Sequence, residues 1–325
     1  VGLLSGNRAF VNARLTEEVG VLKLRAEGQL KNVQQIQATD RAFAATLSDG
    51  SVVTWGRADY GGDSSAVQGQ LQNVQQIQAA GYAFAAILGD GSVVTWGHAD
   101  RGGDSSAVQA QLKNVQQIQA VGYAFAAILG DGSVVTWGDA GCGGDSSAVQ
   151  AQLKNVQQIQ ASGLAFAAIL GDGSVVTWGD RAHGGDSSAM QAQLKNVRQI
   201  QANRMAFAAI LADGSVVTWG SVARGGDSSH VQDQLQNVQQ IQACEGAFAA
   251  ILGDGSVVTW GDSDYGGDSS AMQAQLKNVR QIQATYKAFA AILADGSVVT
   301  WGDRAHGGDS SGLQHQLRNA QQSQS

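Results

Sequence analysis

The sequence predicts an all-β fold, a seven-bladed β-propeller built from 41-residue repeats, and three observations carry that prediction. The seven tryptophans, Trp55, Trp96, Trp137, Trp178, Trp219, Trp260 and Trp301, stand 41 residues apart and are all the tryptophans of the 325-residue chain. Each closes a near-constant stretch of the form Ile87-Leu88-Gly89-Asp90-Gly91-Ser92-Val93-Val94-Thr95-Trp96-Gly97, in which an Asp-Gly hairpin signal separates two apolar runs. The composition is that of a folded, turn-rich chain, with 43% hydrophobic and only 14% charged residues, 43 glycines and no proline. A period between about 20 and 50 residues marks a solenoid, a propeller or an array, because one unit cannot bury its own apolar faces and must stack on copies of itself.

Residues 1–29 read as a degenerate partial repeat or cap, in which residues 7–15 loosely echo residues 40–47. Seven full units then occupy residues 30–316, beginning at Leu30, Leu71, Leu112, Leu153, Leu194, Leu235 and Leu276. Residues 317–325 start an eighth repeat, as ring closure or tail. In the second unit residues 74–79 read as strand A, residues 83–88 as strand B and residues 92–96 as strand C. Strands B and C are apolar on both faces with small alanines interleaved, which fits blades sandwiched between neighbouring blades. Residues 102–112 follow, with Val108, Leu112 and Val115 at i, i+4 and i+7. A short amphipathic helix capped by Asp104 is expected there, with an outer edge strand as the second reading. Either would cover an exposed strand edge.

The net charge of −7 does not describe an acidic surface, since fourteen of the 27 acids belong to repeated turns and the rest face 20 Lys and Arg. No basic run and no apolar stretch of about 18 residues is present, so neither nucleic acid nor membrane is expected as a partner. A soluble monomer is expected. The sequence begins with Val1 rather than Met, which fits a piece of a longer chain. Cys142 and Cys244 fall in loops of the third and sixth repeats, too far apart on a ring of seven for the Cα separation of about 7 Å that a disulfide allows. Two free thiols, with no Asn-x-Ser/Thr sequon, favour a reducing intracellular compartment, cytoplasm or nucleus.

The repeat resembles the RCC1-like (regulator of chromosome condensation) family, on residues Val74, Gln76, Ile77, Gly81, Leu88, Asp90, Gly91, Val93, Trp96, Gly97 and Gly102. The likeness runs through all seven units and implies a seven-bladed propeller. It departs from the family where the usual histidine is Phe in every unit (Phe84 in the second), and where the mid-unit glycine gives way to Asp40, Arg204, Glu245 and Tyr286. Loss of that glycine puts the local backbone in question if the position needs positive φ. The resemblance implies roles as diverse as nucleotide exchange on a small GTPase, UV-B sensing, β-lactamase inhibition and substrate recognition in HERC-type ubiquitin ligases. Fold likeness does not choose among them.

The repeats themselves differ in two windows, one between strands A and B and one after Trp-Gly, and antiparallel strands bring both to one rim. The A–B window supplies Asp40 and Arg41, then Tyr82, Tyr123, Arg204 with Met205, Glu245, and Tyr286 with Lys287. The second supplies Arg57, Asp59 and Tyr60 in the first repeat, and His98, Asp100 and Arg101 in the second. In later repeats it supplies Arg181 and His183, Arg224, Asp264 and Tyr265, and finally Arg304 and His306. These are residue types that anchor protein interfaces, and the rim reads as a protein-recognition surface. Neutral drift of loop tips is the alternative, although drift favours Ser, Gly and Asn over Tyr and Arg.

Nothing in the sequence assembles a catalytic site. Ser, His and Asp occur on the rim at no spacing that builds a triad, and no phosphate loop or metal-ligand motif is present. His98, His183 and His306 fall in different repeats, too dispersed to share a zinc ion. The repeated Trp reads as core packing, and the repeated Asp of Gly-Gly-Asp-Ser-Ser as a cap. No enzyme activity and no cofactor are expected.

Overall fold

A computed structural model describes residues 32–313. The expectations for residues 1–29 and 317–325 lie outside the described residues. Seven three-stranded antiparallel sheets follow one another, one per repeat, each in the order A-B-C. In the second blade strand A is Val74–Ala79, strand B Ala83–Leu88 and strand C Val93–Gly97. Strands A and B fall where the sequence places them. Strand C begins one residue later, because Ser92 closes the turn by accepting the Leu88 amide at 2.9 Å.

That turn differs from the tight two-residue hairpin that Asp-Gly suggests. Gly91 alone has positive φ (+78°) and donates to the Leu88 carbonyl at 2.9 Å, so the loop is Gly89-Asp90-Gly91, a turn followed by one left-handed residue. Asp90 Oδ1 accepts from the Ser92 amide (2.9 Å) and hydroxyl (2.6 Å), fixing the loop from within. A second left-handed residue had no sequence signal. Asn73 (φ 55°) precedes strand A and has a counterpart in every repeat. It is followed by a bulge at Gln75 that shifts the A–B register.

The expected α-helix after each blade is absent among the described residues. Three-residue 3-10 turns stand in its place, such as Ser188–Met190, along with irregular turns and one longer 3-10 segment, Ser229–Gln234. The reason is local: Asp104 Oδ1 accepts from the Ser106 amide two residues on (2.8 Å), an Asx turn rather than a helix cap. Gln109 then reaches back to the Val93 carbonyl (2.9 Å) and accepts from the Ser105 hydroxyl (2.9 Å), while Ser105 meets Thr95 at 3.0 Å. The segment is thus pinned to the outer edge of strand C, which does the expected job of covering it.

The chain divides into two compact units, Val1–Ala148 and Val149–Ser325. The first holds blades 1–3 and the second blades 4–7. In each unit neighbouring blades meet through one recurring seam. Blade 1 offers Ala42, Ala44 and Val52, and blade 2 answers with Val74, Ile77, Phe84, Val94 and Trp96. The same arrangement joins blades 2 and 3, and in the second unit blades 4 to 5, 5 to 6 and 6 to 7. Phe84, the residue in the family's histidine position, is fully buried and stacks on Trp96 with centroids 5.1 Å apart. Trp96 donates its indole N–H across the seam to the Gly61 carbonyl at 3.0 Å. A methyl group on Gly61 (φ +88°) would lie 2.6 Å from the Phe84 ring, which is why glycine recurs there.

Candidate functional site at the A–B loop edge

Each blade ties its two variable windows together at one end. The residue after Trp-Gly donates to a carbonyl of the A–B loop: Arg57 to Arg41 (2.9 Å), His98 to Tyr82 (3.0 Å), Ser221 to Met205 (2.9 Å) and Asp303 to Lys287 (2.9 Å). After it comes a 3-10 turn that the sequence reading missed, such as Ala99–Arg101, closed by left-handed Gly102. The Asp-Gly turns lie at the other end of strands B and C. The two windows of every blade therefore share one edge, as expected.

The A–B loops also join blade to blade. Asp40 donates to the Gly81 carbonyl (3.0 Å) and Gly81 to Gly122 (2.9 Å) in the first unit. In the second, Gly163 donates to Arg204 (2.8 Å) and Glu245 to Tyr286 (3.2 Å). None of Asp40, Gly81, Gly163, Arg204, Glu245 and Tyr286 has positive φ. The concern over lost glycines is thereby corrected: the position needs no left-handed backbone, so Asp40, Arg204, Glu245 and Tyr286 occupy it, while at Gly81 itself space is short. A methyl on Gly81 would lie 2.8 Å from the Gly122 carbonyl oxygen.

Side chains in the first unit form an aromatic ladder. Tyr60, Tyr82 and Tyr123 follow each other at centroid distances of 4.3 and 5.4 Å, and His98 meets Tyr82 edge-on at 6.2 Å. Guanidinium groups cover it. Arg41 and Arg57 lie over Tyr60 (5.3 and 5.0 Å) and Arg101 over Tyr123 (4.2 Å), within cation–π range. Arg57 is held by Asp59 in the same turn (2.7 Å), and Arg101 by Asp139 of the next blade (3.2 Å). Hydrogen bonding to Tyr82 and packing against it hold the Tyr60 phenol above its ordinary pKa.

The second unit repeats the theme with different members. Arg224 and Lys287 flank the Tyr265 ring (4.4 and 4.6 Å), Tyr286 lies 6.0 Å from Tyr265, and His306 lies 5.7 Å from Tyr286. Arg224 meets Asp262 at 3.1 Å and Arg204 meets Glu245 at 3.1 Å. His183 and His306 are held by Asp180 (2.6 Å) and Asp303 (2.7 Å), each within its own turn. Arg181 and Arg304 turn away toward Asp186 and Asp309 (3.2 and 2.5 Å). Met205 is half-buried, and Asp100 and Asp264 stand exposed on the 3-10 turns.

A further set of residues escaped the sequence reading because it was counted as variation. Thr39, Ser162, Asn203, Cys244 and Thr285 all donate from the end of strand A to the carbonyl 21 residues on, at Tyr60, His183, Arg224, Tyr265 and His306 (2.7–3.1 Å). They fasten the 3-10 turn to the blade. Their shared ability to donate a hydrogen bond was the available signal. Burial pushes the Cys244 thiol up to about 11, in keeping with its role as donor. Neither cysteine is in a disulfide, and both are buried.

Three-stranded blades in a 41-residue period, with Phe on Trp and Trp on Gly at every seam described, define an all-β propeller of the RCC1-like fold. Solved structures similar to the chain include Prp20p of Saccharomyces cerevisiae, described with its binding to Gsp1p and histones (15% identity, 71% of this chain and 72% of that one, TM-score 0.44). Human WBSCR16 is similar at 16% identity over 71% and 77% of the two chains (TM-score 0.47). The computationally designed Ika8 protein is similar at 15% identity over 83% of each (TM-score 0.39). No protein-family model and no curated protein matches.

Proposed function

We propose that the chain is a non-catalytic recognition module that binds a protein partner through the A–B loops and 3-10 turns at one edge of its blades. The observation that carries this reading is the concentration of exposed, preorganised charge there. Arg41, Arg57 and Arg204 are exposed, while Asp59 and the face of Tyr60 restrain the first two and Glu245 the third. Guanidinium groups held on aromatic rings lose little freedom on binding, which favours them as interface anchors. The Asp-Gly edge carries the same turn in each repeat and no comparable variation.

The test is a crosslinking pull-down with the native chain and two charge-reversed variants. One carries Arg41→Glu, Arg57→Glu and Arg204→Glu. The other carries Lys113→Glu and Lys154→Glu, which lie beside the Asn114 and Asn155 turns at the opposite edge. Loss of the captured protein from the first variant alone supports the assignment. Equal loss from both, or from neither, contradicts it.

A further inference from the structure

The repeat places an Asp-Gly pair in each of its seven hairpin turns. In a free chain Asp-Gly is the dipeptide that rearranges most readily to isoaspartate, because no Cβ hinders the approach of the glycine amide to the aspartyl carboxyl. In the second blade the Gly91 nitrogen attacks Cγ of Asp90. The N–Cγ bond forms, a Cγ–O bond breaks, and water leaves, made of the carboxyl hydroxyl and the amide proton. Water then adds to the main-chain carbonyl of the resulting succinimide and breaks its bond to nitrogen, so the chain runs on through Cγ. Mass is unchanged and no oxidant or reductant takes part. All seven aspartates are exposed, so burial does not prevent the reaction.

Hydrogen bonds engage the groups that this step must free. The Gly91 N–H donates to the Leu88 carbonyl at 2.9 Å, and every turn repeats that bond at 2.9–3.0 Å. Oδ1 of the aspartate accepts from the amide (2.9–3.0 Å) and the hydroxyl (2.6–2.7 Å) of the following Ser, again in all seven turns. The Gly91 carbonyl accepts from the Val115 amide of the next blade at 2.9 Å, and Gly50, Gly173, Gly214 and Gly255 repeat this bond at 2.8–2.9 Å. Gly91 is thus held on both of its peptide planes, on one within its own hairpin and on the other across the seam. Hydrogen bonding from the Ser92 hydroxyl and amide also keeps the Asp90 carboxyl ionised, and a carboxylate is a poor target for an amide nitrogen. We propose that the Asp-Gly turns are isoaspartate modification sites held shut by the fold, which react only when a turn comes away from its hairpin and its neighbouring blade. Reaction then makes the opening permanent. The rearranged main chain is one atom longer between Leu88 and Ser92, so the turn no longer presents the Gly91 carbonyl to Val115. The inference is independent of the recognition edge, which lies at the other end of these strands.

The test incubates the full chain at neutral pH, native and unfolded in urea, side by side. Isoaspartate at each turn is read by mass spectrometry after digestion with a protease that cuts at aspartate and not at isoaspartate. All seven sites are expected to accumulate isoaspartate in urea, and to do so many-fold more slowly in the native protein. Ser92→Ala removes one of the bonds to Asp90 and leaves the seam side chains in place. In the folded variant the rate at Asp90 is expected to rise severalfold, with the other six turns unchanged as internal controls, while in urea the seven rates stay alike. Circular dichroism verifies the fold, and Ser133→Ala repeats the test at Asp131 if the first variant does not fold. Equal rates in native and unfolded protein overturn the proposal. So does a folded Ser92→Ala variant in which Asp90 reacts no faster than its sisters, or in which all seven sites speed up together.

Discussion

Gly61 and Gly69 sit eight residues apart in the same connection, yet a single methyl has opposite meanings at the two. At Gly61 it meets the Phe84 ring at 2.6 Å on a left-handed backbone, while at Gly69 nothing lies within 4 Å. Gly61→Ala is expected to cost about 2 to 4 kcal/mol from the combined backbone and overpacking terms. Gly69→Ala is expected to be neutral or to stabilise by up to about 0.5 kcal/mol. Urea unfolding of the two variants reads the difference directly. Thr46 offers the converse case. It occupies the position of Ile87 in the seam, and its hydroxyl is buried with no hydrogen-bond partner among the described residues. Thr46→Ile is expected to raise stability by about 1 to 2 kcal/mol, since it removes an unpaired polar group and adds apolar area where six sister repeats already hold Ile. A lower melting temperature for this variant would contradict the account of the seam. Cys244 completes the set. Its thiol is buried and raised to about 11, so native protein at mildly alkaline pH is expected to react slowly with thiol reagents there and quickly once unfolded.

The hairpins and outer turns carry a pH signature. In each hairpin the Ser two residues after Asp, through its hydroxyl and its backbone amide, holds that carboxyl below its ordinary value, as at Asp90, Asp131 and Asp254. Asp104 and its counterparts are lowered by the backbone amide of the second Ser. A carboxylate whose pKa is lower in the folded state adds stability that is complete above the unfolded value near 3.8 and is lost as pH falls through the folded value. The melting temperature is therefore expected to hold level from neutral pH down to about 5 and to drop below about 4. Changing the seven hairpin aspartates to Asn is expected to flatten that drop, and an unchanged acid limb would contradict the assignment. These same turns show what the sequence does and does not disclose. Strands A and B were legible to the residue, because the recurring Val-Gln-Gln-Ile-Gln-Ala and the apolar Ala-Phe-Ala-Ala-Ile-Leu before Asp-Gly leave little choice of boundary. The outer segment was misread as an α-helix. Val108, Leu112 and Val115 fit a helical spacing, but Asp104 and Gln109 spend their hydrogen bonds on Ser106 and Val93, which holds the chain in short turns. Asn73 and the bulge at Gln75 gave no warning, since Asn enters the left-handed region only when its neighbours require it.

For the molecule as a whole, the near-identity of the repeats separates architecture from specificity. Seams of Phe, Trp, Ile and Ala recur with little change, so stability is set by repeated interfaces, while the varied residues gather at one edge of each blade. The location of that edge was legible from strand direction alone. Its internal organisation was not, because Tyr82 finds Tyr60 and Tyr123, and Arg101 finds Asp139, only through the placement of neighbouring blades. Many residues that read as free recognition groups in the sequence are engaged with each other in the fold. Arg181 and Arg304 face the outer Asp residues instead of the aromatic ladder. The most direct test of recognition by this edge replaces both variable windows of all seven repeats with those of a single repeat, and maps by crosslinking and mass spectrometry where captured protein touches the native chain and the variant. The account predicts crosslinks concentrated near Arg41, Arg57 and Arg204 in the native chain and their loss from a variant that keeps its fold. Crosslinks that instead map to the Asp-Gly edge, or that persist unchanged in the variant, would contradict it.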